Sequence, residues 1–345
     1  MIEIDGSQKG GSGTILRLSI ATAIIKKQPL HIINIRQNRP RPGLKHQHLE
    51  AVLVAAKLCN AQVEGATLGS TELWLTPNAI KGGSIEAEIG TAGSIPMLFL
   101  STLPICLFAD KPVLLHVVKG GTDTIHAPTI NYLRAVLLPT LKKLGVQAEI
   151  TVQKYGYYPK GMGEATMTVN PNPNLNAITL EDPGKPSSIN GLSVCTFLAD
   201  RQVAERQAKA ARNLLSKHGY NVNIQVINDK SNFLQKGSTI TLWAQTSSGA
   251  IVGADAIGEL RKTAEAVGIE AAQRIITELS ANVPVDEFLA DMLIPYIALS
   301  EGKSSFLTRL FSEHIESNIW LMEKMLNVKF TIKTVNNLYR IEKSS

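Results

Sequence analysis

The chain has 345 residues, 44% of them hydrophobic, 19% charged and 5% aromatic. That composition excludes a disordered chain and leaves enough apolar material for more than one core. A net charge of +6 and an isoelectric point near 9.1 favour polyanionic partners such as nucleic acid, nucleotides or anionic membranes.

The stretch DGSQKGGSG, residues 5–13, reads as a glycine-rich loop between a strand and a helix. The helix is GSGTILRLSIATAII, Gly11 to Ile25, and a strand is predicted at Leu30 to Ile35. Next comes a helix whose apolar residues Leu49, Val52, Leu53, Ala56 and Cys59 recur at three- and four-residue steps. Glu72 to Leu75 reads as a strand. The same order then returns, displaced by roughly 80 residues. A glycine-rich turn and an apolar helix lie within Gly90 to Ile105, and a strand follows at Val113 to Val118. An amphipathic helix carries Leu133, Val136, Leu137, Leu141 and Leu144, and a strand follows at Ala165 to Val169. Composition changes at EDPGKPSS, which ends at Ser188. Beyond it lie a strand (Gly191 to Thr196), a basic helix (Val203 to Lys217), strands at Val222 to Val226 and Thr239 to Ala244, and a long helix from Leu260 to Leu279. Helices at Phe288 to Leu299 and His314 to Leu326, then strands at Val328 to Lys333 and Asn337 to Ile341, read as a degenerate third copy. The pattern predicts an α+β protein. Residues 1–184 and 280–345 form the large domain of repeated units, and residues 185–279 form a smaller α+β insert.

The N-terminal segment has no basic region followed by an apolar stretch, so a secretory signal is not expected. The longest apolar run, Ile95 to Ala109, holds two prolines and is too short for a membrane span. Cys59, Cys106 and Cys195 have neither metal nor redox spacing and read as buried thiols of a cytoplasmic protein.

Chemistry concentrates in a few segments. In RQNRPRPGLKHQH, Arg36, Arg39, Arg41 and Lys45 sit in a Pro/Gly-stiffened loop immediately before a helix N-terminus. Free N–H groups and cations there suit a phosphate, although a solvated basic loop has the same composition. DGSQKGGSG matches neither the P-loop nor the dinucleotide fingerprint. His314 lies one turn into a helix that Ser312 can cap, where the helix dipole disfavours the imidazolium form. A neutral imidazole is what a nucleophile on phosphorus must be. By local sequence alone, His46, His48, His116 and His126 compete with it. Asp286, Glu287 and Asp291 line the start of a helix, a place that favours carboxylates in any case.

Read in order, these segments resemble the RNA 3′-terminal phosphate cyclase family nearly end to end. The resemblance runs through DGS…GSGTILR with Arg17, IRQNRPRPGLKHQHLEA with Arg36, Arg39, Gln47 and His48, VEGATLGSTEL, TAGS, KGGTD and YGYYPKG. It continues through GADAIGELRKTAEAVGIEAA, VDEFLAD and EHIESNI, which places His314 on the family's adenylylated histidine. It implies a large domain of three units, each a four-stranded sheet with two helices, plus an inserted domain. It implies the catalytic set His314, Asp291, Gln47 and Arg17. The nucleotide would lie against Phe288, Leu289, Ala290, Asp291 and Pro128, and phosphate or RNA against Arg36, Arg39 and Arg41. Asp291 is expected to orient the His314 ring. The partners implied are ATP and RNA with a 3′-phosphate end, not a membrane, with oligomeric state left open. A divalent metal, Mg2+ or Mn2+, is expected, but its ligands stay open because Gly10 stands where family members have Glu. Leu100, Met162 and Met292 are further departures. A non-catalytic cyclase-like factor of ribosome biogenesis is the alternative; an enolpyruvyl transferase on related repeats is a third reading, without motifs of its own here.

Overall fold

A computed structural model describes residues 1–344. The isoleucine-rich β1 (Ile2–Asp5) lies parallel to β2 (Leu30–Ile33), and the crossover that parallel neighbours require is α1 (Gly13–Ile25). After α2 (His46–Cys59) come β3 (Gln62–Glu64) and β4 (Leu73–Thr76), and the sheet order is β1-β2-β4-β3. A second sheet has the same connections. β5 (Gly83–Glu88), α3 (Ile95–Cys106), β6 (Val113–Gly120), α4 (residues 130–144), β7 (Gln147–Lys154) and β8 (Gly163–Asn170) give the order β5-β6-β8-β7. Inside α4, a five-residue π turn at Leu133–Leu137 precedes Pro139, which brings no N–H to the helical ladder.

The two-residue β9 (Thr179–Leu180) opens a third sheet that the chain leaves at once. It first builds β10 (Pro186–Thr196), α5 (Val203–Lys217), β11 (Val222–Asp229), β12 (Gly237–Thr246), β13 (Ile251–Ile257) and α6 (Ala264–Ser280), with sheet order β11-β10-β12-β13. It then returns through α7 (Glu287–Leu299), β14 (Ser304–Thr308), α8 (Glu313–Leu326), β15 (Phe330–Val335) and β16 (Leu338–Lys343). β14 pairs in parallel with β9, Ser305 opposite Thr179, and the third sheet reads β15-β16-β14-β9.

Two apolar clusters follow from this layout. The larger joins the helices of the first, second and third sheets; the smaller, with Ile189, Leu215, Ile240, Val267 and Ile275, belongs to residues 186–280. In α1 every residue from Ile15 to Ile24 is buried, which explains why its sequence lacks an amphipathic stripe. In α5 only one face is buried, along Ala204, Ala208, Ala211 and Leu215. Among the described residues no helix is long and apolar enough to cross a membrane. The three cysteines are buried and unpaired.

The structure moves some expected boundaries. The helix expected from Leu260 starts at Ala264, because the Thr263 hydroxyl accepts the Ala266 N–H and caps it there; Leu260 is exposed. Within Gly90 to Ile105 the turn ends and the helix starts at Ile95, behind its cap, Ser94. β5, β9 and β13 had no strand signal of their own.

Asp286 anchors residues 186–280 to the rest. It caps α7 by accepting the Phe288 and Leu289 N–H groups. It also accepts the Tyr132 hydroxyl of α4 at 2.6 Å and the Gly253 N–H of β13 at 2.8 Å. Beside it the Thr129 N–H donates to Asp255 at 2.8 Å, and Arg309 bridges Glu278 at the end of α6 to Glu287 on α7.

Candidate active site

The glycine-rich loop does two structural jobs. Gly10 and Gly11 have φ of 78° and 59°, a left-handed turn that brings the chain into α1. Gly13, the first helical residue, leaves room for two side chains: a Cβ there would fall 2.4 Å from His48 Nε2 and 3.0 Å from Arg17 Nη1. The His48 imidazole and the Arg17 guanidinium therefore pack against the start of α1.

His48 is buried and its Nδ1 accepts the Lys45 N–H at 3.3 Å, which leaves the ring proton on Nε2. Burial, then the charges of Arg17, Arg36 and Lys45, push its pKa down to about 3. Arg17 is 8% exposed, and its polar contact is the Thr14 hydroxyl at 3.4 Å. Burial and the nearby Arg36 lower its pKa to about 10. Arg36, at φ 56°, braces its loop by donating from Nη1 to the carbonyls of Arg41 and Gly43, each at 2.9 Å. Burial and Arg39 lower its pKa too. Among the described residues none of Arg17, Arg36, Arg39 and Arg41 pairs with a carboxylate.

His314 joins this group from the far end of the chain. Ser312 caps α8 by accepting the Ile315 N–H at 3.2 Å, so His314 sits in the first turn. The N-terminal loop holds α8 in place: Lys9 pairs with Glu316 at 2.7 Å, and the Ser317 hydroxyl donates to the Lys9 carbonyl at 2.9 Å. Burial, then the charges of Arg17 and Arg39, lower the His314 pKa, with Glu313 opposing. His314 is exposed to solvent, and the lowered pKa favours its neutral form.

Gln47, one residue before His48, has its Oε1 accepting the Ser94 N–H at 3.1 Å, at the start of α3. One turn beyond His314, Asn318 Nδ2 donates to the Asp291 carbonyl at 2.8 Å, and its Oδ1 is buried without a partner. Phe288 lies one turn before Asp291, edge-on to Tyr132 with centroids 6.3 Å apart and the Arg274 guanidinium 5.9 Å from its own. Pro128 is half-buried, four residues before Tyr132.

Several sequence expectations need correction. The Asp291 carboxylate makes no hydrogen bond to His314; it is half-buried on α7, and burial and Asp286 push its pKa up to about 7. Leu289 and Ala290 are fully buried, so their side chains are core and only their backbone can face a ligand. Arg41 is exposed, and its charge does not bear on Arg17, His48 or His314. On the basic helix α5, Arg206 is tied to Glu265 and Arg212 to the Ile224 carbonyl; Arg206, Lys209, Lys217 and Glu265 line a groove of about 540 Å³ that contains neither His314 nor Arg17, Arg36, Arg39 and His48. His48 and Asn318 are the side chains that sequence reasoning undervalued; a buried histidine and an asparagine in mid-helix carry no local mark of a site. Among the described residues no three His, Cys, Asp or Glu side chains converge to hold a metal ion. Beside Gly10 there is a single carboxylate, Glu313, with Oε2 3.7 Å from where a Cβ would stand. These residues do not fit a resident metal.

An imidazole beside Arg17 and Arg39, neither of which pairs with a carboxylate among the described residues, makes a site suited to an anionic, phosphate-bearing ligand. The family model described as RNA 3′-terminal phosphate cyclase matches residues 8–332. A protein of Pyrobaculum neutrophilum with that name is 42% identical over 341 residues, 99% of this chain and 97% of its own. Namesakes from Pyrococcus furiosus and Methanopyrus kandleri are 41% and 39% identical, each over 96% of this chain and 95% of their own. The chain belongs to the RNA 3′-terminal phosphate cyclase family.

Proposed function

We propose that this protein converts the 3′-terminal phosphate of RNA to a 2′,3′-cyclic phosphodiester, using ATP, in the cytoplasm. Residues 1–184 and 280–345 would form the catalytic body and 185–279 the insert. The observation that carries the reading is His314, kept neutral between Arg17 and Arg39, neither of which has a carboxylate partner.

The chemistry runs in three steps. The neutral His314 ring attacks the α-phosphorus of ATP; the bond to the β,γ-phosphates breaks and pyrophosphate leaves. The RNA 3′-phosphate then attacks the His314-bound AMP, and the imidazole is released as the leaving group. Finally the neighbouring 2′-hydroxyl attacks the activated phosphate, loses its proton, and expels AMP. A phosphate monoester is a poor electrophile, and AMP gives it a good leaving group. The 2′-hydroxyl is already beside the phosphorus, so the last step gains from proximity. Arg17, Arg36 and Arg39 supply fixed positive charge where negative charge gathers. Phe288 and Pro128 flank the first turns of α7 and α4, a placement that suits the adenine ring. Relatives that carry the cyclase name give no support to the non-catalytic alternative.

Incubation with α-labelled ATP should give a protein–AMP adduct, acid-labile and alkali-stable, that His314→Ala abolishes. A wild-type protein that never labels, with any divalent metal added, ends the enzymatic reading.

A further inference from the structure

Two loops meet where the larger apolar cluster adjoins the smaller: residues 155–162, between β7 and β8, and residues 230–236, between β11 and β12. They are laced together. Asn232 Nδ2 donates to the carbonyls of Tyr155 at 2.7 Å and Gly161 at 3.2 Å. Gln235 Nε2 donates to the Tyr158 carbonyl at 3.0 Å, and the Lys160 N–H donates to Gln235 Oε1 at 3.2 Å. Beneath them Tyr157 is buried against Gly237, where a Cβ would come within 2.1 Å of the ring.

On this firm base two aromatic rings remain in water. Tyr158 and Phe233 are each 75% exposed, and Leu234 beside them is 43% exposed. An aromatic ring left in solvent contributes nothing to the core, and grouped apolar exposure marks a contact surface. The charge around them is of one sign. Lys160, Lys230 and Lys236 are exposed and among the described residues none forms an ion pair, while neither loop contains Asp or Glu. The nearest acid, Asp229, is occupied by the hydroxyls of Thr196 and Ser231.

Internal contacts tie these loops to the segment that holds Gln47. Gly161, at φ 73°, lies so close to Thr91 that a Cβ would stand 2.7 Å from its carbonyl oxygen. Three residues on, Ser94 donates to Gln47, which precedes His48 on Arg17. Rings interleaved with unpaired lysines beside a phosphate site fit one kind of partner, a single strand whose bases offer open faces.

We propose that Tyr158 and Phe233 form a stacking platform for the bases of single-stranded RNA upstream of its 3′ end, with Lys160, Lys230 and Lys236 holding the phosphates between them. The identity and polarity of the strand rest on the cyclase reading; the platform itself rests on the two loops.

The test uses the full-length protein and a fluorescent RNA decamer bearing a 3′-phosphate, with binding read by anisotropy. Tyr158→Ala and Phe233→Ala should each weaken binding about tenfold, and the double variant about a hundredfold. Tyr158→Phe and Phe233→Tyr, which keep a ring, should stay within about twofold. His314 labelling, which needs no RNA, and cyclisation of a 3′-phosphorylated dinucleotide, which has no upstream strand, should not change. Unchanged decamer affinity in the double variant overturns the proposal, as does an equal loss on decamer and dinucleotide. A wild type that never labels yet binds the decamer with this sensitivity would sink the cyclase reading and leave the platform standing.

Discussion

Charged groups gather in two regions of this protein, the buried junction around Asp286 and the half-open cluster around His314, where Arg17 is the buried cation, and they are built in opposite ways. At the junction the charges are acidic and their partners are supplied by the chain. Asp286 accepts four hydrogen bonds, Asp255 takes the Thr129 N–H, Asp123 takes the Thr122 hydroxyl at 2.7 Å, and Glu278 takes Arg309. Burial still pushes Asp286 up to about 6 and Asp123 and Glu278 up to about 7. Around His314 the cations Arg17, Arg36 and Arg39 repel one another, and among the described residues none of them pairs with a carboxylate, although Glu313 opposes their effect on His314. A buried charge with internal partners holds elements together; a buried charge without one costs stability and is kept for a ligand.

The comparison breaks most sharply at the nucleophile. His314→Ala should remove all adenylyl label while leaving the unfolding midpoint unchanged, because the ring makes no structural hydrogen bond. Arg17→Leu comes next. It should slow labelling by about 10²–10³-fold and leave stability equal or higher, since an uncompensated buried cation is gone. If Arg17→Leu unfolds the protein, Arg17 is structural and the contrast fails. Asp286→Ala should do the reverse. It orphans the Tyr132 hydroxyl and the Gly253 N–H, and urea titration should show a loss of about 2–4 kcal/mol.

Two smaller effects sharpen the contrast through pH. His48 titrates lower in the folded chain than its ordinary 6.5, so its contribution is present above pH 6.5 and fades as pH falls toward 3. Glu278 titrates higher than its ordinary 4.5, so its contribution is present below pH 4.5 and fades as pH rises through 7. His48→Gln and Glu278→Gln should therefore remove slopes of opposite sign, each at most about 1.4 kcal/mol per pH unit, in stability measured across those windows. The smallest effect is Arg39→Gln. Losing that neighbouring cation lets the His314 pKa rise, so the acid limb of the labelling rate moves to higher pH, with a loss of only severalfold near pH 7.5. An acid limb that stays in place would detach Arg39 from His314.

Much of this was legible in the residues. The period of Leu49, Val52, Ala56 and Cys59 marks α2, and Ala204, Ala208, Ala211 and Leu215 mark the buried face of α5. The arginine loop announced an anion site by its chemistry. β9 was not legible because two residues carry no period, and it exists only by pairing with β14, which the chain reaches after the whole of 186–280. Nor could the histidines be ranked. His116 bridges to Glu164 and His31 lies between Glu3 and Glu72, whereas His314 faces arginines, and no local sequence separates those fates.

The sequence by itself determined the long helices and most of the strands, since periodicity is a property of neighbours along the chain, and it determined the surplus of cations. Tertiary structure alone decided which charges have partners. Lys9 meeting Glu316 and Ser317 across some three hundred residues sets His314 beside Arg17, and the same folding closes Tyr132 and Gly253 onto Asp286. Coulomb energy and desolvation depend on distance through space, which no order of residues states.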